Sequence, residues 1–367
     1  MDFSLSEEQE AIRSLARQIL SDLVSPERHK ELEADDQWFD RKAWSALADA
    51  GLLGIAAPDA FGGSNLGFLE VALVLEEVGR TVAKVPYLAS VVMGILPIAQ
   101  FGDEALQREW LPKLVAGEAI ASTALVEDRA PAHAPTTTAR KKGSTWVLEG
   151  TKTCVPAGLD ASIVLVPAMT GNRRVAVFVV ETAAAGVNVE RQDTTTGIPE
   201  ARLVLAGAKS TLLGDTASGA AIIDWITLRA TAGLAATAVG VCEAALRITA
   251  DYTKTREQFG RPIATFQAVG QRAADAYIDT EAVRLTALQA AWRIGAGLPA
   301  DAEVAIAKFW AADGGQRVVH AAQHLHGGMG VDRDYPVHRY FLWAKHLELT
   351  LGGATQQLLR LGDILAG

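Results

Sequence analysis

Apolar residues recur at i, i+3, i+4 and i+7 through SEEQEAIRSLARQIL (6–20) and again through FLEVALVLEEVGRTVAKV (68–85), a spacing that gathers them on one face of an α-helix. Between and after these runs, APDAFGGSNLG (57–67) and FGDEALQ (101–107) carry turn chemistry. From about 120 to 214 the text changes to short β-rich runs, STWVLEG, ASIVLVPAM, RRVAVFVVE and ARLVLAG, separated by Gly, Asn, Pro and Thr. Such a block predicts a small antiparallel sheet or barrel. The helical period then returns, with long segments at 218–255, 264–295 and 300–324. The pattern predicts an α+β chain of three domains: N-terminal α-helical (1–119), middle β (120–214) and a C-terminal α-helical bundle (215–367).

A length of 367 residues fits two or three domains or a single large one and suffices to bury a core. The net charge of −9 and the lack of any dense Lys/Arg run exclude a phosphate-backbone binder, so no nucleic-acid partner is expected. ATAGLAATAVGVC (230–242), the most apolar stretch, falls short of the roughly 20 residues that span a bilayer and reads as a buried helix, so no membrane partner is expected. The N-terminal text has no basic n-region followed by an apolar h-region, hence no expected secretory signal. Two cysteines, Cys154 and Cys242, suit a reducing cytoplasm and exclude a disulfide scaffold. The charged run KELEADDQWFDRK (30–42) reads as a solvated connection.

Five motifs in order, EEQEAIR, GLLGIAAPDAFGGSNLG, LPKLVAGEA, REQFGRPIATFQAV and HLHGGMGVDRDYP, resemble the acyl-CoA dehydrogenase family from end to end. The resemblance implies a helical N-terminal domain, a central β-domain, a C-terminal four-helix bundle, and FAD lying between subunits. It also implies α,β-dehydrogenation of an acyl-CoA stacked on the flavin. A carboxylate takes the α-proton while hydride leaves the β-carbon for flavin N5, so base and ring must flank the substrate.

Measured against that family, one half of the site is missing. The base of many members is the Glu of Y-E-G-T, which falls on LTLGGATQQ, at Leu351, Gly352 or Gly353. Others carry it on the helix before R-x-x-F-G, which falls on Ala230 or, aligned on Arg229, on Leu228. None of these accepts a proton, and no catalytic residue is assigned. Val126 stands where the ring-facing T-E-P motif has Thr, and Cys154, Val155 and Pro156 stand where W-I-T stacks on the ring and bonds near N5. Thr355 and Gln356 or Gln357 are the retained residues near the C-terminus.

The other half is kept. The family holds the adenine and pyrophosphate end of FAD on the neighbouring subunit through R-x-x-F-G, a following Gln, and Q-x-x-G-G. The matching residues are Arg256, Phe259, Gln267, Gly327 and Gly328, with His324 in place of the Gln. Arg supplies a planar multi-donor cation for a diphosphate, Phe an apolar face for adenine, and Gly close backbone approach.

This asymmetry resembles the β-type subunit of actinobacterial α2β2 acyl-CoA dehydrogenases, several of which act on CoA esters of steroid side chains. It implies a homologous α subunit that carries the base and binds most of the acyl-CoA. Two other readings stay open: a homomeric enzyme using Glu127, Asp128 or Glu348 as base, and a flavin-free relative that binds acyl-CoA or stabilises a partner.

Blander readings cover the remainder. Cys154 reads as a small buried hydrophobe, and Gly330 as part of an ordinary inter-helix turn. His320, His324 and His326 have no acid or thiol in register with them, so no metal site is assigned.

Overall fold

α1 (Glu7–Leu23) starts at a reciprocal cap: Gln9 N–H donates to the Ser6 hydroxyl at 3.2 Å and Ser6 N–H to the Gln9 side chain at 3.0 Å. Ser25 caps α2 (Pro26–Ala34), and Asp40 caps α3 (Arg41–Asp49) by accepting from Lys42 and Ala43 N–H. The solvated connection expected at 30–42 is seen only in part: 30, 31, 33–37, 41 and 42 are exposed, but the rest is not. Its first residues are helical, and Leu32, Trp38, Phe39 and Asp40 are all buried. Phe39 meets Trp38 at 5.4 Å and the edge of Trp44 at 6.1 Å. Three apolar side chains and one cap outweigh the local charge density.

After α4 (Phe68–Thr81), a π-helical segment (Leu88–Ile95) leads into α5 (Leu96–Phe101) and α6 (Glu104–Val115). The computed structural model describes residues 3–366 except 144 and 172; Ser144, first residue of the predicted STWVLEG strand, thus lies outside the described residues. Seven strands follow: β1 (Ala121–Thr123), β2 (Thr138–Lys142), β3 (Thr145–Pro156), β4 (Ile163–Met169), β5 (Val175–Glu181), β6 (Val187–Gln192) and β7 (Glu200–Leu213). Pairing runs β4-β2-β3-β7-β5 and returns to β4, so the sheet closes on itself as a barrel, with β1 added to β4 and β6 to β7. The pairings are antiparallel except β1–β4 and β2–β4.

α7 (Gly219–Thr255) ends in a hairpin of β8 (Glu257–Gln258) and β9 (Arg261–Pro262). Then come α8 (Gln267–Gly295), α9 (Asp301–His326), α10 (Val337–Leu349) and α11 (Ala354–Ala366). Cys242 of α7, Ala276 of α8, and Val318 and Ala321 of α9 share one core cluster, while α10 and α11 pack on α9. The result is a four-helix bundle with one helix added. Residues 230–242 are buried throughout, as their composition predicts. α7 is long and apolar enough to cross a bilayer, yet 78% of its apolar window is covered by the protein itself.

Two compact units result: Met1–Asp35, Gly67–Ala83 and Thr231–Gly367 form the first, Asp36–Leu66 and Lys84–Ala230 the second. The first unit takes α4 in with the C-terminal helices. The crossing of α4 and α7 is tight enough that a Cβ on Gly240 would lie 1.8 Å from the Glu76 carbonyl oxygen. α4 is also not amphipathic in the simple sense. Its Glu76, Glu77 and Arg80 are buried and form one ionic cluster with Arg17 of α1, Glu243 of α7 and Arg284 of α8.

Candidate cofactor-binding site

In the first unit, the end of α7 meets the end of α9. The Tyr252 ring stacks on His326 at 4.4 Å, and Tyr335 leans on the same imidazole at 5.1 Å. One turn beyond Tyr252 lies Arg256, and directly after His326 come Gly327 and Gly328. The hairpin after Arg256 turns through Phe259 at φ +55° and Gly260 at φ +75°. It returns the chain so that Phe259 and Phe266 meet edge-on at 6.2 Å, one residue before Gln267 opens α8.

Arg256, Phe259, Gln267, His324, Gly327 and Gly328 are thus set on adjoining ends of three helices, and all six are exposed. Phe259 is 93% exposed, an unusual state for a phenyl ring held at a hairpin tip in left-handed backbone. Among the described residues, no hydrogen bond or ion pair engages the Arg256 guanidinium, although Glu257 is its neighbour. Gly327 needs to be glycine for its φ of +58° and ψ of −133°. A Cβ on Gly328 would meet nothing within 4 Å, whereas one on Gly330 would lie 2.8 Å from the Gln323 carbonyl oxygen. Gly330 is therefore a packing glycine. These residues fit a diphosphate and a planar base: a free planar cation, an uncovered aromatic face and an open glycine backbone.

The loop at 350–353 is built differently. Lys308 of α9, fully buried, donates to the carbonyls of Leu347 at 2.8 Å, Glu348 at 2.9 Å and Gly352 at 3.0 Å. Burial pulls its ammonium down to about 8, against the pull of the nearby Glu348 charge. Gln357 Nε2 donates to the Leu351 carbonyl at 3.0 Å and the Gly352 carbonyl at 3.3 Å. Gln357 is thus turned inward, while Thr355 is exposed. Leu351 has φ +55° and Gly352 φ +96°, and a Cβ on Gly352 would stand 3.1 Å from polar atoms of Gln356 and Gln357. Position 352 requires glycine, and neither it nor its neighbours Leu351 and Gly353 carries an acid.

Ring-side residues lie in the second unit. A bulge in β3 between Lys152 and Val155 gives Cys154 φ +51° and turns its side chain outward, with its N–H donating to Gln192 Oε1 at 2.8 Å. Cys154 is exposed, which corrects the buried hydrophobe expected of it; the buried cysteine is Cys242. Partial desolvation pushes the Cys154 thiol up, with Glu200 adding to the shift, the reverse of an activated thiolate. Val126 and Thr153 form a single bridge.

The acids proposed as substitute bases are mostly occupied. Glu127 Oε1 accepts from Lys152 Nζ at 2.7 Å and Thr137 Oγ1 at 2.6 Å, and Oε2 accepts from Thr136 N–H at 2.6 Å and its hydroxyl at 2.5 Å. Burial alone would raise this carboxyl, but the partners together outweigh it and hold the group at about 2. It is too weak a base, with both oxygens saturated, to take a proton from carbon. Glu348 is bound by Lys345 at 2.6 Å.

Sequence reasoning missed the Lys308 and Gln357 clamps and the partners of Glu127. One signal was present: Lys308 is the lone charge in AIAKFWAA.

Comparison with known proteins shows the family. Three family models, the N-terminal, middle and C-terminal domains of acyl-CoA dehydrogenase, match residues 6–118, 122–207 and 218–364. The chain belongs to the acyl-CoA dehydrogenase family, FAD-dependent oxidoreductases acting on CH–CH bonds. It is 43% identical to acyl-CoA dehydrogenase FadE27 of Mycobacterium tuberculosis, across 100% of this chain and 99% of that one. Among solved structures it resembles a chain of the ChsE4–ChsE5 complex from the same organism, at TM-score 0.94, 44% identity, and coverage of 100% of this chain and 99% of that one. It resembles a variant of the Tcur3481–Tcur3483 steroid ACAD at TM-score 0.92 and 42% identity, covering 99% of each chain.

Proposed function

We propose that this chain is the base-lacking subunit of a heteromeric, FAD-dependent acyl-CoA dehydrogenase. It lends the adenine and pyrophosphate half of a flavin site to a homologous partner that carries the base and binds most of the acyl-CoA. The observation that carries this reading is the contrast between two sets of residues. Arg256, Phe259, Gln267, His324, Gly327 and Gly328 are free and exposed, whereas Leu351, Gly352, Gly353, Leu228 and Ala230 offer no base and Glu127 is saturated.

Two relatives are described as complexes of unlike chains, and one of these as a steroid enzyme. On that likeness we assign an α2β2 assembly and a steroid side-chain CoA ester as substrate. Two unpaired cysteines suit the cytoplasm.

The test is a visible spectrum of the purified chain alone and co-purified with its partner. Flavin absorbance only in the mixed complex supports the reading. A yellow protein alone favours a homomeric enzyme, and a colourless one in both states favours a flavin-free relative.

A further inference from the structure

Arginines that leave water in this fold are met by carboxylates. Arg80 is bound by Glu76 at 2.8 Å and Glu77 at 2.8 Å, Arg284 by Glu281 at 3.2 Å, and Arg339 by Glu33 at 2.7 Å. Arg229 on α7, in the second unit, departs from this. It is partly buried, yet no carboxylate lies within ion-pair distance among the described residues. Its guanidinium lies 3.6 Å over the Trp225 ring one turn earlier, and Trp225 is held edge-on by Phe101 at 5.3 Å. Its hydrogen bond is a long one, 3.4 Å to the carbonyl of Trp225 itself. Asp224, the nearest acid along the helix, is engaged by His133 at 3.1 Å.

Stacking on an indole stabilises a cation by less than the removal of its charge from water costs. The imbalance registers on the group: burial pulls Arg229 down to about 10, while Arg17, Arg80, Arg191, Arg284 and Arg317 are all raised. An anion on the guanidinium edge would supply what is missing, since the fork accepts two oxygens at once and Trp225 already fixes its plane.

We propose that Arg229 anchors an oxyanion site, which takes a carboxylate or phosphate of a small acidic ligand on the guanidinium edge above Trp225. The proposal deepens the reading of a base-lacking subunit and rests on it. Arg229 is flanked by Leu228 and Ala230, where other family members place a helix base. A cation there holds an acid instead of drawing a proton.

The test is calorimetric titration of the purified complex, and of the chain alone, with coenzyme A as the phosphate probe and hexanoate as the carboxylate probe. Wild type, Arg229→Gln and Arg229→Lys are compared, with folding checked by circular dichroism and bound FAD measured in parallel. At least one probe should bind wild type. Arg229→Gln should weaken that binding tenfold or more, and Arg229→Lys by less, because an ammonium keeps the charge without the fork. Loss for one probe alone names the source. Bound FAD should not change in either variant, which separates this site from the cofactor cradle. The proposal is overturned if neither probe binds, if Arg229→Gln binds both as wild type does, or if that variant instead blocks subunit association with probe binding intact. The last result would mean that Arg229 meets a partner's carboxylate.

Discussion

Lys308 holds Gly352: the buried ammonium donates to the Gly352 carbonyl at 3.0 Å, with no carboxylate in ion-pair range among the described residues. A fully buried cation thus caps α10 and fixes the loop at 350–353, which carries no acid.

Lys308→Met should therefore loosen that loop. Removing the ammonium takes a donor from the Leu347 and Glu348 carbonyls and leaves that of Gly352 to Gln357 alone, each lost bond worth about 1–3 kcal/mol if the carbonyl stays dry, while also removing a costly buried charge. The two partly cancel in global stability, so the sharper readout is local: amide exchange across 350–357 should accelerate, with distant helices unchanged. Protection equal to wild type would show that Gln357 alone holds the loop.

Lys308 also has a pH signature. Its folded value of about 8 lies below the ordinary 10.5, so the unfolded chain binds more protons between the two. The group's contribution to stability is present above about 10.5 and is lost as pH falls through about 8. Wild-type stability relative to Lys308→Met should rise across that window in denaturant titrations. A flat or falling difference would contradict the assignment.

Glu127→Gln tests whether that acid is structural. It would leave the Lys152 ammonium, 0% exposed, without a counter-charge, and breaking a buried pair costs about 3–5 kcal/mol. Because Glu127 is held at about 2 against an ordinary 4.5, its contribution is present above 4.5 and lost as pH falls through 2. The variant should unfold at markedly lower denaturant and lack that acid dependence. A stable variant would reopen Glu127 as a chemical group.

Restoring an acid to the loop should not create an enzyme. Gly352→Glu forces an L-residue to φ +96° with its Cβ 3.1 Å from Gln356 and Gln357, a strain of about 1–3 kcal/mol. Leu351→Glu is better placed, but the ring-contact segment would still read Cys154, Val155 and Pro156. The lone chain and both variants should show no acyl-CoA turnover in a dye-reduction assay with added FAD. Turnover of about 1 per second or more from Leu351→Glu would show that the ring pocket is intact.

The long elements were legible because their periods were strong: α7, α8 and α9 end close to where the apolar repeat does. β6 was not, since VNVERQ pairs only with β7 and buries none of its residues. α4 has the spacing of an amphipathic helix and is buried almost all round, because its Glu76, Glu77 and Arg80 find partners on helices far away in sequence. Cys154 escapes a sequence reading for a local reason, since a bulge reverses which face a strand residue occupies. The six candidate cofactor residues were named from the sequence one by one; that all are exposed could only be seen once the helix ends were placed together.

The most direct test of the central claim is FAD bound per αβ pair, measured by absorbance after gel filtration, for Arg256→Ala set against Cys154→Ser and Pro156→Ala. Loss of a charge-assisted contact to the pyrophosphate is worth about 1.5–3 kcal/mol, so Arg256→Ala should weaken FAD binding by roughly tenfold to a hundredfold at about 1.4 kcal/mol per decade. The Cys154 and Pro156 variants should keep their flavin, because no ring lies against them. If they lose it while Arg256→Ala retains it, the chain binds its own FAD and the half-site account is wrong.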